Sequence, residues 1–231
     1  MDQTVTTAYL GLFTCIKGLL FSEEFKERHR QKPTNFTRQR SLPFVIVIIF
    51  LLNLVKRALQ DELDEFFKLL DGAEIAVRMV SKSAFIQARK KLKYESFVEL
   101  NQAQVNYYYN NFDAELWHGL RLVATDGSMR ELPDTEEISA HFGVWHPAAG
   151  GTCPTARVSQ MFDVLNKVTL DAIIAPKENG ERALAAAHFA HLKAGDLVLL
   201  DRGYPAFWLC ALILKQNAHF FARMKLGSWT R

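Results

Sequence analysis

Hydrophobic spacing divides the chain into two textures that meet near Asp113 to Gly119. Before that junction, apolar residues recur at helical intervals and Gly and Pro are few, which predicts an all-helical region. The expected helices are Tyr9–Leu20, Pro43–Leu59, Leu63–Leu70, Ser81–Leu92 and Tyr94–Asn110. Ser81 is a suitable N-cap for the fourth, and Phe85, Ala88 and Leu92 form its apolar stripe. Between the first two helices lies a polar stretch carrying Lys26, Arg28, Arg30, Lys32, Arg38 and Arg40, which reads as a linker or arm.

After the junction, strands alternate with helices. Leu120–Thr125 is a short apolar run ending on Asp126, Gly127 and Ser128, the pattern of a strand followed by a turn. Val158–Leu165 and Val168–Ala175 flank Asn166-Lys167, a hairpin pattern. Glu181–Leu192 is alanine-rich and helical. Leu197–Leu200 is continuously apolar, as a strand covered on both faces would be, and ends on Asp201. Pro205 suits the first turn of a helix running to Asn217, and His219–Lys225 reads as a last strand. Mixed strands and helices of this kind imply an α/β domain.

Composition narrows the picture. A hydrophobic content of 49% fits a folded chain and argues against disorder. The net charge of +3 permits a nucleic-acid partner without demanding one. Cys15, Cys153 and Cys210 are odd in number and far apart, so neither a zinc knuckle nor a disulfide framework is expected, and a reducing cytoplasm fits. The most apolar run, LPFVIVIIFLLNLV (Leu42–Val55), falls short of the roughly 20 residues a membrane-spanning helix needs and reads as a buried helix. The first residues lack the basic and apolar regions of a secretion signal.

Asp126 and Asp201 share a context, since each directly follows an apolar strand and stands one or two residues before a glycine. On neighbouring strands of one sheet, both carboxylates would emerge at the edge where open α/β sheets place their sites. Two such carboxylates can share Mg²⁺, which takes hard oxygen ligands. Two cations about 3.5–4 Å apart can activate a water or a 3′-hydroxyl and stabilise the leaving oxygen of a phosphodiester. The plainer alternative is that each Asp caps the turn after its strand.

The residues around the pair add a resemblance. VATDGSMRELP (Val123–Pro133) with HFG (His141–Gly143) resembles the first catalytic block of DDE transposases of the insertion sequence 4 family. GDLVLLDRGYPAFWL (Gly195–Leu209) is similar to the second block, in which an Asp-Arg-Gly-Tyr motif follows a buried strand. MFDVLNKVTLDAIIAP (Met161–Pro176) resembles the family's hairpin, FFARMK (Phe220–Lys225) its following strand, and VSKSAFIQARKKL (Val80–Leu92) the helical segment before the core. The likeness runs from about Pro43 to Lys225.

That resemblance implies an α/β ribonuclease H-like catalytic core preceded by an all-helical N-terminal domain. The expected division is a helical DNA-binding region over 1–115 and the core over 116–231. It implies metal-dependent cleavage and strand transfer at the ends of a mobile element, two Mg²⁺ ions, double-stranded DNA as partner, a homodimer on DNA and no membrane. Asp126 matches the first catalytic and metal-holding aspartate and Asp201 the second. The family's third acid is a glutamate in a signature of Tyr, two residues, Arg, three residues, Glu, six residues, Lys. That signature is absent before Arg231, so the expected core is incomplete at its C-terminus. A remnant that binds DNA without cutting it is the alternative. Glu178 and Glu181 are the acids already present to consider in the missing role.

Beside such a core, the basic residues Lys82, Arg89, Lys90, Lys91 and Lys93 read as DNA contacts, because phosphate neutralisation supplies most non-specific affinity. Otherwise a basic run is simply a solvated face. Arg202 could grip a phosphate by its planar fork or pair with a neighbouring carboxylate. Arg223 could touch DNA or close a salt bridge. His141, His146, His188, His191 and His219 show no zinc spacing, and His188 and His191 read as structural. Gly150-Gly151 is no phosphate-binding loop.

Overall fold

The computed structural model describes residues 3–38, 40–53, 56–145 and 152–224. Contacts divide the chain into two compact units, Met1–Tyr107 and Tyr108–Arg231. His146, the Gly150-Gly151 pair and Lys225 lie outside the described residues.

In the first unit, the regular elements among the described residues are helices: α1 (Gln3–Leu20), α2 (Glu23–His29), α3 (Phe44–Leu52), α4 (Leu59–Asp71), α5 (Lys82–Arg89) and α6 (Glu95–Asn111), within which the unit boundary falls. The apolar run of the sequence becomes α3 and buries Phe44, Val47, Ile48 and Phe50 among Phe25, Leu63, Phe67 and Phe85. Each large apolar side chain fully buried there contributes about 1.5–3 kcal/mol before chain entropy is subtracted. No helix is long and apolar enough to cross a membrane, among the described residues.

Two details differ from the expected helices. The second was expected to run to Leu59 but stops at Leu52, with Asn53 as its C-cap. The carboxylate of Glu62 accepts from the backbone N–H groups of Lys56 (3.2 Å) and Arg57 (2.9 Å), drawing that segment into a cap for α4 rather than a continued helix. Lys26 and Arg28 stand on a helix instead of an arm: Ser22 caps α2 by accepting from Phe25 N, and Phe25 and His29 are buried. After α2, the backbone bonds Gln31 N to Lys91 O and Lys93 N to His29 O tie the chain to the residues following α5.

The second unit is built on a six-stranded sheet. Its elements are β1 (Arg121–Glu131), α7 (Glu136–Phe142), β2 (Val144–Trp145), β3 (Cys153–Asp163), β4 (Val168–Pro176), α8 (Glu181–His188), a 3-10 turn (Phe189–His191), β5 (Asp196–Leu200), α9 (Phe207–Lys215) and β6 (His219–Ala222). β3 pairs antiparallel with β1, β2 and β4, whereas β5 pairs in parallel with both β1 and β6. Helix α8 packs on β3, β1 and β4, and α9 packs on β6 and α8. The turn between β3 and β4 places Lys167 at a positive φ of 55°. The fold is thus mixed α/β.

One strand departs from expectation in a way that matters. The sequence ends the first strand at Asp126, but β1 continues through Asp126, Gly127 and Ser128 to Glu131. β3 is equally long and supplies partners for the extension, from Asp126 opposite Gln160 to Glu131 opposite Thr155. Tertiary pairing here overrides the weak strand preference of Asp and Gly.

Candidate active site at the end of the β1–β5 pair

The parallel ladder joins Arg121 to Asp196, Leu122 to Leu197, Val123 to Val198 and Ala124 to Leu199. Asp126 and Asp201 each lie five residues beyond the first of these pairs, so the same register carried forward sets them level. Neighbouring strands stand about 4.8 Å apart, and in-register residues of a parallel pair point to the same face. Both aspartates are exposed. Asp126 shares the face of Leu122 and Ala124, and the alternation of β5 carried one residue past its end would put Asp201 with Leu197 and Leu199, whereas Val123, Thr125, Val198 and Leu200 occupy the buried face.

Local bonds hold each aspartate. An oxygen of Asp126 accepts from Gly127 N at 2.8 Å. Tyr204 N donates to the carbonyl of Asp201 at 3.0 Å, closing the turn that leads the chain away from β5. Arg223 ends up beside Asp201, its guanidinium 3.7 Å from the carboxylate, with both side chains well exposed. At that distance and exposure the pair is weak and easily exchanged.

Beneath this end of the sheet lies a polar cluster that the sequence pattern did not bring together. Tyr204 is 3% exposed and its hydroxyl has no hydrogen-bond partner among the described residues. Burial pushes its ionisation up to about 12, helped by the negative charges of Glu181, Asp126 and Asp201 and opposed by Arg157. A Cβ added at Gly127 would stand 3.6 Å from that hydroxyl and 3.8 Å from Cγ of Glu181, the first residue of α8. A Cβ added at Gly203 would stand 3.8 Å from Oε2 of the same glutamate. The other carboxylate oxygen of Glu181 ion-pairs with Arg157 on β3, and Arg182 Nε donates to the carbonyl of Gly203. No group of three or more His, Cys, Asp or Glu is gathered closely enough to hold a metal ion, among the described residues. The donors at hand are nevertheless carboxylates, the hard oxygens that suit Mg²⁺.

The other residues picked from the sequence fall out as follows. Lys82, Arg89 and Lys90 are exposed, and Lys91 is half-buried at the end of the α5 segment. Lys93 instead donates from Nζ to the carbonyl of Arg28 at 2.9 Å. Arg202 is exposed in the turn after Asp201. Lys91, Arg38 and Arg40 line an open groove of about 1030 Å³ in the first unit, with Ser81, Ala84 and Gln87 on the α5 side.

His188 has partners that no local motif announced. Nδ1 lies 2.7 Å from Asp171 on β4 and Nε2 lies 2.9 Å from the hydroxyl of Ser159 on β3. The distances resemble those of a serine nucleophile relay, but Ser159 is 2% and His188 0% exposed, so no substrate reaches the hydroxyl. The chain of bonds fastens α8 to the sheet. It also holds the Asp171 carboxyl below its ordinary range, chiefly through the hydrogen bond from His188.

No family model matches the chain. It is 25% identical over 135 residues to InsZ of Escherichia coli (strain K12), which its name ascribes to the transposases; the match covers 57% of this chain and 45% of that protein. It is likewise 25% identical over 152 residues to the transposase InsG for insertion sequence element IS4 of the same organism, covering 64% of this chain and 34% of that one. The chain therefore spans less than half the length of these curated relatives. Against solved structures, 95% of the chain superposes on 52% of a piggyBac transposase chain from a synaptic complex with hairpin DNA, at a TM-score of 0.44 and 12% identity. The chain is a distant relative of transposases of the insertion sequence 4 family.

Proposed function

We propose that this chain carries the first part of a DDE transposase's DNA-cutting centre, with Asp126 and Asp201 as its paired catalytic carboxylates. The observation that supports the reading is the parallel register of β1 and β5, which, carried forward from Ala124 opposite Leu199, sets Asp126 on β1 level with Asp201 just past the end of β5. A ribonuclease H-like core is supported by the sheet itself. Three long antiparallel strands form a meander, and its first strand continues into a parallel pair through helical crossovers.

Asp126 and Asp201 would hold Mg²⁺, as two ions. Bound there, the cations would supply the charge that acidifies an attacking water or 3′-hydroxyl and stabilises the leaving oxygen of a phosphodiester. The protein's part is to present two exposed carboxylates, one on β1 and one just past the end of β5. Arg202 and Arg223 stand beside Asp201, where a guanidinium can neutralise DNA phosphate. Arg223, now loosely paired with Asp201, would exchange that partner for a phosphate once a cation compensates the carboxylate. Lys82, Arg89, Lys90 and Lys91 would hold duplex DNA by phosphate contacts, with Lys93 nearby. The proposed assembly is a homodimer on transposon ends in the cytoplasm.

A second reading, a protein that binds DNA without cutting it, is favoured by one observation: no three acids converge as they stand, among the described residues. Cleavage assays on transposon-end DNA in Mg²⁺ separate the two readings. Metal-dependent nicking that disappears in Asp126→Asn and Asp201→Asn supports the first. DNA binding without nicking, even after addition of a segment bearing the family's glutamate signature, supports the second.

A further inference from the structure

The first unit holds its cations in two kinds of setting. Lys26, Arg28, Arg30, Lys68 and Arg78 each pair with a carboxylate, on Glu23, Glu99, Glu27, Glu65 and Asp64 in turn. Arg38, Arg40 and Lys91 have neither an ion pair nor a side-chain hydrogen bond, among the described residues. These three line the open groove of about 1030 Å³, and no Asp or Glu lines it with them, among the described residues. Cations gathered without a carboxylate repel one another until an anion joins them.

Both walls of the groove are fixed. On one side, the Gln60 amide accepts from Lys82 N at 2.8 Å and donates to the Val80 carbonyl at 3.0 Å. That clamp sets the start of α5, which Ser81 caps by accepting from Ala84 N. On the other side, the Phe36 ring meets buried Phe44 edge-on, with 5.5 Å between centroids, and Arg30 donates to the Asn35 carbonyl at 3.1 Å. Arg38 and Arg40 follow on this wall, whereas Lys91 stands beyond α5 on the first. The hydroxyls of Thr34 and Ser41 and the amide of Gln87 also face the groove, beside apolar Leu42 and Ala88.

We propose that this groove seats the phosphodiester backbone of one DNA strand. Arg38 and Arg40 grip phosphate oxygens through their planar forks, and Lys91 meets a neighbouring phosphate as a point charge. The hydroxyls and the amide donate further bonds to the backbone, and the apolar residues pack against sugars. A polymer with a charge on every unit suits cations spread over two walls. The inference rests on the reading of DNA as this chain's partner. It adds a concave seat to the exposed cations of α5, and its two arginines precede Pro43, where the likeness to the transposase family begins.

Fluorescence anisotropy of residues 1–231 on duplex DNA across a salt series tests the seat. Arg38→Gln combined with Arg40→Gln should lower the slope of log affinity against log salt by about 1.8, or about 0.9 for each phosphate released. Lys26→Gln combined with Lys68→Gln removes the same charge from ion-paired positions of the same unit and should leave the slope nearly as in wild type. Ala84→Trp fills the groove from its α5 wall without altering any charge, and should lower the slope by as much as about 2.7 if all three phosphates leave. Equal slopes for the two double variants overturn the proposal, since only net charge would then matter. A wild-type slope in Ala84→Trp overturns it as well. Should Ala84→Trp fail to fold, as judged by circular dichroism, the two double variants decide. A fluorescent polyglutamate peptide that loses affinity in the arginine double variant, while duplex DNA keeps its slope, would assign the groove to an acidic protein segment and overturn the proposal. If the wild-type chain binds no duplex DNA even at low salt, the reading of DNA as partner fails first and the groove's role falls with it.

Discussion

Arg121 and Asp196 face one another across the β1–β5 ladder and join in a buried two-point ion pair, Nε to Oδ1 at 2.8 Å and Nη2 to Oδ2 at 2.6 Å. Their side chains are 8% and 3% exposed. Asp196 also accepts from Lys193 N, and the Arg121 guanidinium lies 4.9 Å from the ring centroid of Tyr109. This pair pins the register that sets Asp126 level with Asp201 five residues further on. A one-residue slip would send one carboxylate to the other face.

Removing one partner should therefore cost more than removing both. Arg121→Met leaves the Asp196 carboxylate buried without its counter-charge and is expected to destabilise the protein by about 3–5 kcal/mol. The double change Arg121→Met with Asp196→Leu should recover a large part of that loss. Urea denaturation of wild type, Arg121→Met, Asp196→Leu and the double variant measures it. Additive single effects would show that the two groups do not interact as a pair.

Acid should loosen the attachment of α8. The Asp171 carboxyl is held below its ordinary range by His188, so the folded state keeps fewer protons on it than the unfolded state does. Stability from this contact is present above the unfolded carboxylate range, near pH 3.9 or so. It is lost as pH falls from there through the lowered folded value. The stability difference between wild type and Asp171→Asn should be largest near neutrality and shrink below about pH 4. A difference that stays constant from pH 7 to pH 2.5 would contradict this assignment.

Why some of this is legible in the sequence and some is not follows from the range of the interactions. Asp201 can be placed because Leu197–Leu200 is a short, continuously apolar strand that declares its own end. Asp126 can be singled out, but the sequence cuts its strand short, since the extension to Glu131 depends on pairing with β3, which lies about 30 residues away in sequence. Helix α2 stays hidden because EEFKERH buries only Phe25 and His29, too thin a stripe to show periodicity. The Ser159, Asp171 and His188 chain is invisible because its members come from three different elements. Glu181 looks like an ordinary acid in a helix's first turn, and only the folding of α8 over Gly127 and Gly203 brings it to Arg157 on β3.

DNA binding should divide the basic residues of the first unit by their present engagements. Each phosphate neutralised changes the slope of log affinity against log salt by about 0.9. Lys82→Ala, Arg89→Ala and Lys90→Ala should each reduce the slope by roughly that amount. Lys93→Ala should change it least, because Nζ is already bonded to the Arg28 carbonyl. Fluorescence anisotropy on duplex DNA across a salt series reads the slopes directly. Identical slopes for all variants and wild type would show that this surface is only solvated.

The final expectation joins cation binding to cutting. Asp126 and Asp201 would provide two carboxylates, too few to complete the coordination of two divalent ions. Two-ion chemistry needs charge on both sides of the phosphorus, one ion favouring the attacking oxygen and one the leaving oxygen. The Tyr-Arg-Glu-Lys signature that would bring a further glutamate has no match before Arg231. The chain of residues 1–231 should thus bind Mn²⁺ and duplex DNA yet leave transposon-end DNA uncut in Mg²⁺. Fusing a segment that bears the signature should restore cleavage. In that fused protein, Asp126→Ala or Asp201→Ala should remove cleavage by several orders of magnitude, because each aspartate serves ions that act on both oxygens. Should residues 1–231 cut DNA unaided and lose that activity in Asp201→Ala, the acids already present would suffice. Glu181→Gln in the unfused chain would then show whether the glutamate at the head of α8 supplies the missing ligand.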